Sequence, residues 1–283
     1  MKFKLFNKER DIKLLKKIGL VVILLAALII IKDELVWQFG DYEDYSDDYS
    51  YYDDEYSYSD GTCNVAKIDL KAFMDIEAYD EETVGSSDIV SAIEDANYSE
   101  SIKAIVLDVD SGGGIPTAGE EIANALLRSD IPTVALIRGY GVSAAYWAAT
   151  GADVIFASAI ADVGSIGVTI SYLDNAKQNQ MEGLTYNELN TGKYKDTLNS
   201  NKTLTYAEKL LVQRDLDITL DNFVKAVAEN RNLTIEEVKA LADGSSMLGE
   251  MALENGLIDY IGDLYAVKQY LSDLIGEEVV VCQ

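Results

Sequence analysis

The sequence predicts an α/β fold on a mostly parallel sheet, and three observations carry that prediction. From residue 65 onward, short apolar runs rich in Val and Ile alternate with segments of helical periodicity. Glycine-containing turns, Gly112 to Gly114 and Gly139 to Ser143, each follow a strand-like run and precede a helix-like one. Strands separated by helices imply right-handed βαβ crossovers, which make neighbouring strands parallel.

Taken in order, the chain opens on a basic segment, residues 1–17, with seven Lys/Arg against two acids. Ile18 to Ile31 is then an unbroken apolar run of fourteen residues. A bilayer core requires about twenty. Leu14 and Leu15 before the run and Leu35, Val36 and Trp37 after it extend its apolar character; the flanking lysines can snorkel and Trp37 suits an interface. A transmembrane anchor over residues 18–37 is the expectation. The competing reading is a cleaved signal peptide, which lacks a small-x-small cleavage site here. The basic side stays in the cytoplasm, so a single-pass cell-membrane protein with an extracytoplasmic domain is expected. Residues 38–61 hold the tract DYEDYSDDYSYYDDEYSYSD, built only from Asp, Glu, Tyr and Ser. Such a tract cannot bury enough surface to offset its chain entropy and reads as a self-repelling, disordered linker.

Residues 62–283 form the expected globular domain. VAKIDLKAF (65–73) reads as a first strand, Ser87 to Ala96 as a helix, and AIVLDVD (104–110) as a buried strand ending in DSGGG. Ala118 to Arg128 is helical, TVALIRG (133–139) a strand, and a helix starts at Ser143 and runs to Thr150. DVIFAS (153–158) and GSIGVTIS (164–171) read as two more strands. Helical periodicity returns over Tyr206 to Asn230 and Thr234 to Ala242, with Thr205 and Thr234 as N-caps.

Composition excludes several function classes. Residues 61–283 carry 15 Lys/Arg against 36 Asp/Glu, a balance that repels phosphate backbones, so no nucleic-acid partner is expected. The chain has no histidine, which excludes every Ser-His-Asp triad, Cys-His dyad and histidine metal site. With two cysteines, Cys63 and Cys282, a structural zinc would lack ligands; no metal and no cofactor are expected. The two thiols either pair across the ends of an extracytoplasmic domain or stay free near its termini, and the sequence leaves both open.

Any nucleophilic chemistry therefore needs a base other than histidine, and lysine is the candidate. Ser143 stands at the first turn of a helix with small Ala144 and Ala145 behind it. On local sequence alone the N-cap reading comes ahead of the nucleophile. The two glycine turns present backbone N–H groups at helix N-termini, where a developing oxyanion is stabilised. Lys193 and Lys195 in TGKYKD read, on their own, as a solvated loop.

In this order and at these spacings, DSGGGIPTAGE, RGYGVSAAYWAATGADVIFA, VGSIGV, NTGKYKD and ALADGSSMLGEMALENGLIDYIGDL resemble the signal peptide peptidase (SppA) family of membrane-bound serine proteases, over about residues 64–265. The resemblance implies a ClpP/crotonase-like βα superhelix and a Ser/Lys dyad. Ser143 matches the family's nucleophile and Lys195 its lysine, with Lys193 the alternative register. Gly113 and Gly114 match the oxyanion glycines of Asn-Ser-Pro-Gly-Gly, and Ser165 matches a serine that orients the lysine amine. The chain departs from the pattern at Ala144 and Ala145, where the family has glycine, at Gly112 in place of proline, and at Asp110 in place of asparagine.

A lysine in water, with a pKa of about 10.4, is protonated and useless as a base. Burial beside apolar groups lowers such a value by up to ~3 to 5 units and yields a neutral amine that can deprotonate serine. The resemblance further implies a homo-oligomeric ring, of eight subunits, with the dyad completed between neighbours. Its substrates would be remnant signal peptides or other extended, membrane-associated peptides. Two rivals share the fold: an inactive scaffold or peptide holder, and crotonase-type acyl-thioester chemistry. The external placement argues against the second, because such thioesters are cytoplasmic.

Overall fold

A computed structural model describes residues 63–282. The anchor (18–37) and the linker (38–61) lie outside the described residues; among those described, no helix is long and apolar enough to cross a membrane.

The fold is α/β, with a seven-stranded, mostly parallel sheet. Its spine runs β1 (Val65–Lys71), β4 (Ala104–Ser111), β5 (Thr133–Val142), β6 (Val154–Ala157) and β9 (Tyr260–Ile261), all parallel. β7 (Asp162–Gly164) pairs parallel to the far end of β5 and antiparallel to β8 (Ser246–Leu248). A separate parallel pair joins β2 (Phe73–Asp75) and β3 (Thr83–Gly85).

Period-two alternation along these strands feeds two cores. Ile68, Leu70, Ile105, Leu107, Ala135, Ile137 and Ile155 point to one face. They meet α1 (Ser86–Tyr98), α2 (Pro116–Leu127) and α3 (Ala144–Thr150) through Ile89, Ile93, Ile122, Leu126 and the wholly buried α3. Val65, Val106, Val134, Leu136 and Phe156 point to the other face, where Val267 and Leu271 of α8 (Leu264–Ile275) cover them. Trp147 of α3 stacks on Phe223 of α5 (Tyr206–Asn230) at 4.8 Å, which fixes the long helix to the core. The short helices α4 (Ala176–Met181), α6 (Ile235–Leu241) and α7 (Gly249–Glu254) complete the chain.

The Thr205 and Thr234 caps are present, each as a full capping box, with Glu208 and Glu237 closing them. The strand expected over 133–139 runs on to Val142, and two other strand boundaries differ more sharply from expectation. The first strand stops at Lys71 because Ala72 adopts φ 73°, which turns the chain away into β2. GSIGVTIS is not a strand: Gly164 (φ 90°) and Ser165 (φ 49°) end β7 where that strand was expected to begin, and the chain runs on without regular structure.

Cys63 and Cys282 form a disulfide. The C-terminal tail lies along the start of β1, with the Asn64 and Val65 amides donating to the Val280 carbonyl and the Cys282 amide to Val65.

Candidate active site

The sheet brings the two glycine-containing turns together at the carboxyl ends of β4 and β5, the edge where parallel α/β sheets place their sites. Ser143 sits between β5 and α3 with φ 56° and ψ −130°. That conformation is sparsely populated for any residue with a Cβ and persists only where the surroundings impose it. Here the Ser143 amide donates to the Gly164 carbonyl at 2.8 Å and its carbonyl accepts from the Trp147 amide at 3.0 Å. Ser143 occupies the N-cap position, yet its side chain makes no capping bond, nor any hydrogen bond to another described residue. The hydroxyl is left free by a backbone that is fully engaged.

Gly113 lies directly against this serine. A Cβ built there would stand 2.8 Å from Ser143 Cβ and 3.0 Å from the Ala144 nitrogen, and its φ of 97° disfavours other residues. Gly114 passes so close to β2 that a Cβ would meet the Met74 carbonyl oxygen at 2.1 Å. Met74 holds this turn as a strand would, donating to the Gly113 carbonyl and accepting from the Ile115 amide. Ser111, buried, donates from Oγ to the Ala72 carbonyl at 2.5 Å and accepts the Gly113 amide at 3.1 Å. The Gly114 and Ala144 amides have no partner among the described residues. Ser111 was not singled out from the sequence, and Ala144 was named there as a small residue behind Ser143, not as an amide donor. The amide after a nucleophile at a helix start is a general oxyanion donor, and that rule points to Ala144.

Lys195 is not joined to Ser143 within the chain. It lies exposed on the arm between β7 and α5, and its side chain has no hydrogen bond or ion pair to a described residue. Lys193 stands over the Tyr194 ring at 4.9 Å. Ser165 Oγ donates to the Gly244 carbonyl at 2.8 Å, which leaves its oxygen able to accept from an amine, and no lysine of the same chain bonds to it among the described residues. The arm exposes Ile170, Leu173, Leu184 and Leu189, the last completely.

The arm is tied to the start of α5 by charge. Lys202 reaches Glu188 at 2.8 Å, Glu208 at 3.0 Å and Asp196 at 3.5 Å. Glu188, then Glu208, hold the Lys202 ammonium well above the usual lysine range, so it is a fixed cation and no base. Glu208, buried, is pulled down from its ordinary 4.5 to about 2, first by the Thr205 amide and hydroxyl and then by Lys202. A depressed carboxylate stabilises the folded form above its unfolded pKa, and that contribution is lost as pH falls through its folded pKa. The arm should therefore loosen between about pH 4.5 and 2. Amide exchange over residues 186–208 measures this; protection unchanged across that window would refute it.

The profile of "Peptidase family S49" matches residues 125–276. A protein of Methanocaldococcus jannaschii, named as a candidate protease, is 32% identical over 68% of this chain and 63% of its own length. One from Enterococcus faecium, named as a candidate signal peptide peptidase SppA, is 30% identical over 65% of this chain and 54% of its own. Protease 4 of Salmonella typhi is 32% identical over 64% of this chain and 29% of its own. The chain thus spans between about half and two thirds of the length of the first two relatives.

Proposed function

The chain belongs to peptidase family S49, the SppA family of serine proteases, and on that premise we propose that it is a serine endopeptidase with Ser143 as nucleophile and Lys195 as general base. The observation that carries this reading is the strained Ser143 backbone, φ 56° and ψ −130°, packed against Gly113 with its hydroxyl free. In the reaction, the neutral Lys195 amine takes the hydroxyl proton while Ser143 Oγ bonds to the scissile carbonyl carbon. The Gly114 and Ala144 amides, which have no partner among the described residues, stabilise the oxyanion, while the Gly113 amide stays on Ser111 Oγ and shapes the turn. The tetrahedral adduct collapses, the peptide C–N bond breaks, and the Lys195 ammonium gives its proton to the leaving amine. Water, deprotonated by the same amine, then releases the acyl group and regenerates Ser143.

The fold reads as the ClpP/crotonase-like superhelix, and the active unit as a ring of this chain, with eight subunits. Two features support self-association: Lys195 is unengaged within its own chain, and the arm that bears it exposes large apolar side chains. A neighbour's Lys195 would then meet Ser143. The apolar run at residues 18–37 supports a membrane anchor, and the Cys63–Cys282 disulfide supports a domain outside the cytoplasm. Extended peptides near the membrane, remnant signal peptides among them, are the substrates this arrangement admits.

Mixing two inactive variants tests the shared site. Ser143→Ala and Lys195→Ala should each fail to cleave a peptide and fail to react with a fluorophosphonate probe. Mixed assemblies should regain activity toward about a quarter of wild type, because random pairing places an intact serine beside an intact lysine. Labelling that survives Lys195→Ala would remove the lysine from the mechanism. A wild type that binds peptide without labelling would leave a peptide-holding protein instead.

A further inference from the structure

Asp110 is the residue the mechanism leaves unused, and its surroundings show what it does. β4 and β5 run in register as far as Val109 opposite Ile137, and the ladder resumes at Ser111 opposite Gly141. One residue of β4, Asp110, thus faces three of β5: Arg138, Gly139 and Tyr140. Asp110 Oδ1 accepts the Tyr140 amide at 3.0 Å. The bulge wraps closely round that carboxylate, since a Cβ at Gly139 would stand 2.8 Å from the same oxygen. Arg138 Nη1 reaches back to Asp108 Oδ2 at 3.3 Å, on the same face of β4.

The bulge also changes the partner of β5. Residues 134–137 pair with β6, whereas Tyr140, Gly141 and Val142 pair with β7, whose Gly164 carbonyl receives the Ser143 amide. Asp110 stands three residues before Gly113, and Tyr140 three before Ser143. Their hydrogen bond is therefore a crosslink at the same distance from both halves of the site. Resting on the peptidase reading, we propose that Asp110 is a positioning residue whose carboxylate oxygen, standing in for a missing ladder acceptor, fixes the Ser143 turn against the Gly113–Gly114 turn.

The role is one of geometry. Below the bulge the β4–β5 ladder is complete and buried, so losing one exposed bond at Asp110 leaves the sheet standing. A displacement of about 1 Å between a nucleophile and its oxyanion donors costs about 10²-fold in rate. An amide oxygen can accept the Tyr140 bond as a carboxylate does, whereas Glu moves the acceptor out by one methylene.

The test measures fluorophosphonate labelling rates, kcat and KM for a peptide, and thermal midpoints in the full chain. Asp110→Ala should lower kcat and the labelling rate by about 10²-fold with KM within about threefold of wild type. Asp110→Asn should restore both to within about threefold, and Asp110→Glu should resemble Asp110→Ala. Labelling of Asp110→Ala at the wild-type rate overturns the proposal, as does Asp110→Asn as slow as Asp110→Ala, or a loss confined to KM. If the alanine variant does not fold, the Asn and Glu pair decides: equal rates overturn the proposal. A wild type that does not label overturns the peptidase reading itself, and this inference with it.

Discussion

Replacing Ser143 by alanine should lower kcat by about 10³- to 10⁶-fold while leaving the thermal midpoint within about 1 °C of wild type. The two halves of this expectation come from different observations. The catalytic loss follows if the hydroxyl forms the acyl bond, because oxyanion donors and binding alone retain only a residual rate. The stability half follows because the Ser143 hydroxyl caps no helix and bonds no described residue, so nothing is left unsatisfied when it goes. Alanine keeps the Cβ, so the strain at φ 56° is the same in both proteins. Steady-state kinetics and a melting curve on the same preparation check both. Activity above about 1% of wild type would point to another nucleophile, and a large fall in midpoint would restore a structural role for the hydroxyl.

Removing the disulfide, by reduction or by Ser at both Cys63 and Cys282, should cost about 2 to 5 kcal/mol of stability. For a domain of this size that is a fall of roughly 5 to 15 °C in thermal midpoint. The bond closes a loop with a sequence separation of 219 residues, so it constrains nearly the whole unfolded domain. In the folded state it pins the tail whose Val280 carbonyl accepts from Asn64 and Val65. Catalysis at 25 °C should persist, because Cys63 precedes the amino end of β1 whereas Ser143 follows the carboxyl end of β5. An unchanged midpoint in protein shown by mass to be fully oxidised beforehand would refute the expected stabilisation.

The long elements were legible because their residues report their own environment. Over Ala104 to Leu107 and Val134 to Ile137 the strands are apolar on both faces, as strands buried from both sides must be, and Thr205 and Thr234 each announce a helix with Glu three positions later. β2, β3, β8 and β9 have two or three residues each, too few for any period to register. The end of β7 was misplaced because Val168, Ile170 and their neighbours have strand-like composition, while the break lies in two positive φ values that composition does not record.

The candidate site divides in the same way. Ser143, Lys195 and the glycine pair could be named from ordered motifs and from the absence of histidine, since both concern which chemical groups the chain possesses. The seat of Gly113 against Ser143 could not, because it depends on segments thirty residues apart meeting across a sheet; the free hydroxyl and the capture of the Gly113 amide by Ser111, two residues away, are local but rest on backbone angles that composition does not record. Asp110 marks the boundary between the two. The sequence by itself determined its charge and its departure from the family's asparagine; only the tertiary structure decided that this charge faces a bulge and holds the Tyr140 amide, because a ladder register is a relation between strands and belongs to neither one.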